Sequence, residues 1–195
     1  MDMKTVDNHR VLPRIKAPFH VVLCLLVLLC GVACDDGQPQ GEAAREIADE
    51  QPARGEKSVV HLYFADLENE YLTAEEVRMP MAADANTLGR AIVDALIRGP
   101  RNALLRTIPE GTTLRAFHLL ENGTAYVDLS AAAKENHPGG ARSELMTIYS
   151  LVNSLILNMP DVAAVKILID GHEATTLAGH IDLRYPFTAN MLLIR

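Results

Sequence analysis

SELMTIYSLVNSLILNMPDVAAVKILIDG, residues 143–171, decides how this chain folds. Leu145, Ile148, Tyr149, Val152, Leu155, Ile156 and Met159 recur at spacings of three and four. At about 100° per residue they line one side of a helix. Thr147, Ser150, Asn153, Ser154 and Asn158 fall on the other side. Pro160 stops the helix, because it lacks an N–H and clashes with the preceding turn. Val165 to Ile169 is short, rich in β-branched residues and closed by Asp170-Gly171, the pattern of a buried strand with a turn behind it. A helix with one oily face feeding a buried strand predicts a helix-on-sheet core, with Leu145, Val152 and Ile156 packed inward. Met146 and Leu157 lie off the stripe. Either the helix is buried on two sides or they mark a contact patch.

Upstream of this block the same reading continues. Val59 to Phe64 is a strand ended by Asp66, and Tyr71 to Met79 is extended up to Pro80. Asp84 or Asn86 caps a helix over 87–98, with Leu88, Ala91, Ile92, Ala95 and Leu96 as its stripe and Gly99-Pro100 as its stop. A short helical turn is expected over 103–108. Strands over 113–120 and 124–129 flank Asn122-Gly123, a strong hairpin signal. Ser130 is expected to cap a helical turn through 131–136, which His137-Pro138-Gly139-Gly140 breaks. Downstream, 173–177, 181–183 and 191–194 read as edge pieces and a last short strand. The order β, β, α, β, β, α, β predicts an α+β fold. Its expected form is a two-layer sandwich, a mixed, mostly antiparallel sheet with two main amphipathic helices on one face.

The N-terminal part is of another kind. Residues 1–18 are polar with a basic excess, and Phe19 to Cys34 is almost continuously apolar. That is the layout of an export signal. It closes on Gly31-Val32-Ala33-Cys34, small residues before a cysteine, which resembles the lipobox of bacterial lipoproteins. Cys34 is then the lipidation site; the alternative is an uncleaved signal anchor over 1–34. Residues 35–57 hold one aliphatic side chain of any size, Ile47, and cannot bury enough surface to offset their ordering entropy. They read as a flexible tether, with the folded domain over 58–195.

The net charge of −7 divides into +2 on residues 1–33 and −9 on the rest. An acidic exterior repels phosphate backbones, and tryptophan is absent, so nucleic acid is not an expected partner. Cys24, Cys30 and Cys34 all belong to the apolar run or its end, leaving no disulfide or thiolate metal site for the domain.

Candidate chemistry is sparse. His61, His118, His137, His172 and His180 show no metal-ligand spacing, and there is no HExxH. Asp128, Ser130 and His137 lie near one another in sequence but without GxSxG. Gly139-Gly140 precedes a helix start, which offers free amides to an anion; a plain turn explains it equally. Glu144 sits in the first turn of the long helix, where it complements the dipole. No cofactor and no metal are expected. An envelope hydrolase or metal-dependent enzyme built on Asp128, His180 and Asp182 is the competing reading, and it requires those side chains to converge.

HLYFAD (61–66), ALIRGP (95–100), TIPEGTTL (107–114), AYVDLS (125–130), NHPGG (136–140), YSLVNSL (149–155) and ILIDGHEATTLAGHIDL (167–183) resemble the GerMN domain, a sporulation and spore-germination module. The resemblance runs over about 57–190 in the same order. It implies a fold like the ring-building motifs of secretion and sporulation channels. It also implies a non-catalytic interaction module, the family's founding member being a membrane lipoprotein with two such domains. Asp128, Tyr149, Asn153, Asp170, Gly171, Gly179, His180 and Asp182 match the family pattern and by that resemblance form an interaction surface. Expected partners are envelope proteins or peptidoglycan, with self-assembly as a further option. The expected location is the outer side of the cytoplasmic membrane.

Overall fold

The computed structural model describes residues 57–195. The export signal, Cys34 and the tether over 35–56 lie outside the described residues. The elements are β1 (Lys57–Ala65), β2 (Leu72–Pro80), α1 (Ala85–Arg98), β3 (Leu114–Leu119), β4 (Thr124–Leu129), the single turn α2 (Ala132–Glu135), α3 (Ala141–Asn158) and β5 (Ala164–Ile169). A 3-10 turn, Met191–Leu193, lies near the C-terminus.

The fold is α+β, but its strands form two sheets instead of one. β1 and β2 make an antiparallel pair with Val60 opposite Val77. β3, β4 and β5 make the second sheet, antiparallel from β3 to β4 and parallel from β4 to β5. Local signals set most boundaries. The Asp84 carboxylate accepts from the Thr87 amide (2.8 Å) and starts α1. Those same Thr87 bonds, from amide and hydroxyl, hold the Asp84 carboxyl below its usual range. α1 ends at Gly99, whose N–H returns to Leu96 O. The β3–β4 turn closes where Gly123 N–H meets Leu120 O (3.0 Å).

One core joins all of this. Val60, Leu62 and Phe64 of β1 meet Ile92, Val93 and Leu96 of α1, Val127 and Leu129 of β4, and Ile148, Leu151, Val152 and Leu155 of α3. α1 lies against both β1 and β3, so it ties the two sheets together. Phe117 of β3 is buried beneath Gly89 of α1.

The polar side of α3 is not turned to water. Thr147, Ser150, Asn153 and Ser154 are all buried. The reason is the free edge of β1. Tyr63 N–H donates to Ser154 Oγ (2.9 Å), and Ser150 Oγ donates to Tyr63 O (2.6 Å). One turn further on, His61 N–H donates to Asn158 Oδ1 (2.9 Å) while Asn158 Nδ2 donates to His61 O (2.7 Å). Side chains at i, i+4 and i+8 thus stand in for a neighbouring strand, which satisfies backbone groups that burial would otherwise leave costly. Met146 is buried as well, so α3 is covered on more than one side, whereas Leu157 stays exposed.

Other expectations change for similar reasons. Residues 103–108 form no helix, because Leu105 N–H is taken by Ala65 O (2.8 Å). Ser130 does not cap α2; its hydroxyl accepts from Thr113 N–H (3.0 Å) at the entry to β3. The segments 173–177, 181–183 and 191–194 are not strands. Only isolated bridges remain there, His172 with Ile169, Phe187 with Val165 and Ile194 with Leu72.

Candidate interaction surface

Several of the residues singled out from the sequence, Asp128, Tyr149 and Asn153 among them, fasten residues 171–195 to the body. Asp128 is the last residue but one of β4, opposite Leu168 of β5, which puts it within reach of the Asp170-Gly171 turn that follows. Its Oδ1 accepts from Gly171 N–H (2.8 Å) and its Oδ2 from Arg115 Nε (3.2 Å). Arg115 reaches on to Asp170 (2.7 Å). Asp170 and Gly171 have φ of +54° and +81°, two left-handed residues in succession. Asp is among the few side chains that tolerate this, and Gly adopts it freely. Arg115 is half exposed, so its ion pairs contribute little by themselves.

Glu144 is the centre of the arrangement, and its residue type alone concealed that. It is fully buried. Its Oε1 accepts from the Leu177 and Ala178 amides (both 2.9 Å), and its Oε2 from the His180 amide (2.8 Å). His180 Nδ1 lies 3.2 Å from the same oxygen. Burial by itself would raise the Glu144 pKa. The amides of Ala178, His180, Ile181 and Leu177 outweigh it, and the carboxyl sits below its ordinary value. Gly179, φ +99°, forms the open tip of this loop.

Lys166 is the second anchor that sequence reasoning missed. Its side chain is buried in β5, and Nζ donates to Arg184 O (2.6 Å) and Leu183 O (3.3 Å) and pairs with Glu173 (3.1 Å). The available signal was a cation inside the apolar run AVKILI, where only a bonded charge is tolerable. Asp182 pairs bidentately with Arg184 on the surface, and chiefly that side-chain contact lowers its pKa to about 2. Tyr149 meets Phe187 edge to face at 6.0 Å. Asn153, wholly buried, holds Asn190 by both backbone groups, accepting from N–H (2.9 Å) and donating to O (3.0 Å).

Asn153→Leu keeps the branched outline of the side chain and removes both bonds. We expect it to cost about 2–4 kcal/mol, since a backbone donor and acceptor lose their partners. Urea unfolding measures this; a change under about 0.5 kcal/mol would mean Asn190 finds water instead.

His137 braces the Gly139-Gly140 turn that leads into α3. Its Nδ1 accepts from Gly139 N–H (3.0 Å), so Nε2 carries the proton and faces Thr147 Oγ1 (3.1 Å). Burial lowers its pKa against a weaker upward pull from Glu144. The competing catalytic set is not assembled. Asp128 serves Gly171 and Arg115, His180 leans on Glu144, and Asp182 holds Arg184. A cleft of about 440 Å³ opens nearby between Asn69, Leu105, Ile108, Pro138, Met146 and their neighbours. No carboxylate or imidazole lines it, so it offers no acid–base pair. Among the described residues, no three His, Cys, Asp or Glu side chains come together as metal ligands.

The Germane family, described as sporulation and spore germination, matches residues 61–175, more than half of the chain. The chain belongs to this family. Its Germane fold recurs in the tandem GerMN domains of the sporulation protein GerM from Bacillus subtilis. The identity is 20%, over 68% of this chain and 46% of that one, with a TM-score of 0.56. This chain therefore matches less than half the length of the tandem protein. The first GerMN domain of the same protein gives 20% identity, 68% and 97% coverage, and a TM-score of 0.56. At this identity the likeness shows the fold. A candidate lipoprotein from Clostridium perfringens also matches, with 25% identity, 68% and 87% coverage, and a TM-score of 0.48. No curated protein matches by sequence. Germane is not a family of known enzymes.

Proposed function

We propose that this GerMN domain is a non-catalytic interaction module held outside the cytoplasmic membrane. The anchor is Cys34, lipidated, or failing that the uncleaved apolar run before it. Residues 35–57 then act as the tether, and the partners are envelope proteins or peptidoglycan. One observation carries the reading. Asp128, Asp170, His180 and Asp182, the carboxylates and the histidine that family resemblance singles out, each bond within the chain's own fold. Such groups position loops; they are not poised for proton transfer. No helix among the described residues is long and apolar enough to cross a membrane.

The intact mass of protein extracted from its native membrane tests the anchor. Loss of residues 1–33 with added acyl mass on Cys34 is the expected result. A free, unmodified Cys34 at the new terminus would overturn both forms of attachment. Crosslinking in intact cells should capture an envelope partner. Alanine at His180 and Asp182 should alter stability without abolishing that capture; loss of a hydrolytic activity in these variants would restore the competing reading.

A further inference from the structure

Alternate residues of a strand direct their N–H and C=O to opposite edges. In β1, His61 and Tyr63 give theirs to α3, and Ala65 O accepts from Leu105 N–H. Val60, Leu62 and Phe64 therefore make the ladder with β2, opposite Val77, Glu75 and Thr73. It follows that Leu72, Ala74, Glu76 and Arg78 direct their backbone groups away from β1. Leu72 O is taken by Arg195 N–H (3.0 Å), with Ile194 bridged alongside. Among the described residues nothing bonds the N–H or C=O of Ala74, Glu76 or Arg78, and all three are exposed.

We propose that this open edge of β2 pairs antiparallel with the same edge of a second copy of the chain, about a two-fold axis at Val77. In that register Glu76 stands opposite Arg78 of the second copy, and the two-fold repeats the pair with roles exchanged. Each pair exchanges main-chain N–H···O bonds in both directions, and the side chains on the exposed face carry opposite charges. The neighbouring registers are worse. A slip one way sets Glu76 against Glu76. A slip the other way sets Arg78 against Arg78 and brings Glu76 opposite Pro80, which has no N–H to give. Pro80 has no N–H and ends the ladder after Ala74. The surface is thus self-complementary in the way a two-fold interface requires. The proposal deepens the interaction role above by naming a surface and a partner. It rests on that reading only in treating the domain as an adhesive unit.

The test uses the full chain in detergent micelles. A membrane anchor of either kind gathers copies in a micelle by itself, so the readout must sit on the edge. Hydrogen exchange at the Ala74, Glu76 and Arg78 amides should be fast in dilute protein and slow by about tenfold or more at high concentration. Glu76→Pro removes an outward N–H and no ladder bond, so it should keep the circular dichroism of the parent and lose the protection. Glu76→Arg or Arg78→Glu alone sets like charges together twice and should weaken pairing by about tenfold, while E76R/R78E together should restore it. Fast exchange at every concentration would overturn the proposal. So would protection that persists on dilution, which would place a segment of the same chain on the edge. Failure of the double exchange to rescue either single variant would do the same. None of these results bears on Cys34, whose modification is read by mass, so the two readings fail separately.

Discussion

Replacing Glu144 by alanine should destabilise the domain by about 3–5 kcal/mol, the range for stripping a buried charge from its partners. Three amides, those of Leu177, Ala178 and His180, lose their acceptor at once. No water reaches the site without opening the loop, because Glu144 has no exposed surface. Against a total stability of about 5–15 kcal/mol, such a loss is large. Urea unfolding reads it directly, and exchange at 177–180 should rise before the core opens. Glu144→Gln keeps the shape and one acceptor oxygen, so it should cost less. It should also alter the acid response. The folded carboxyl sits below its ordinary value of 4.5, so the unfolded chain takes up the proton first as pH falls. The contribution of Glu144 is complete above about pH 4.5 and fades as pH drops through the folded value. The glutamine variant should lack that part of the acid-side decline. Equal acid slopes in the two proteins would mean the carboxylate is not the anchor described.

The second large effect lies where α1 crosses β3. Phe117→Ala should cost about 3–5 kcal/mol, from lost burial and the cavity left behind. A Cβ at Gly89 would meet the Phe117 ring at 2.1 Å, so the ring fills the space the glycine leaves. Gly89→Ala in the parent should therefore destabilise by about 1–3 kcal/mol through overpacking, against a gain of about 1 kcal/mol in helix propensity. With Phe117 already alanine the clash is gone, and Gly89→Ala should become stabilising. A double-mutant cycle measures this reversal of sign. Simple additivity would show that the ring moves aside freely, and that α1 does not couple the two sheets through this contact.

Much of the fold was legible because it is local. Asp84 marks the start of α1, Asn122-Gly123 joins β3 to β4 and Pro160 follows the end of α3, each by chemistry confined to a few neighbours. The split into two sheets was not legible, since strand partnership is set by contacts far apart in sequence. The same holds for Ser150, Ser154 and Asn158. Periodicity shows which side of a helix is polar; it does not show whether that side meets water or the main chain of another element. The C-terminal segment misled for a related reason. Ile181 and Leu183 have strand-like composition, but their neighbourhood is held by Glu144 and Lys166 from elements earlier in the chain. Of the matched residues, Asp128 and Asn153 carry the most structural weight, and neither reveals that in its sequence context.

The hydroxyl and amide column on α3 has a consequence for growth. A sheet with both flanks open can add copies without limit, which is how fibres start. Here one flank is stoppered by Ser150, Ser154 and Asn158. Main-chain recruitment onto this sheet can therefore terminate at a closed pair, and a dense population of these domains has no route to runaway polymerisation through β1.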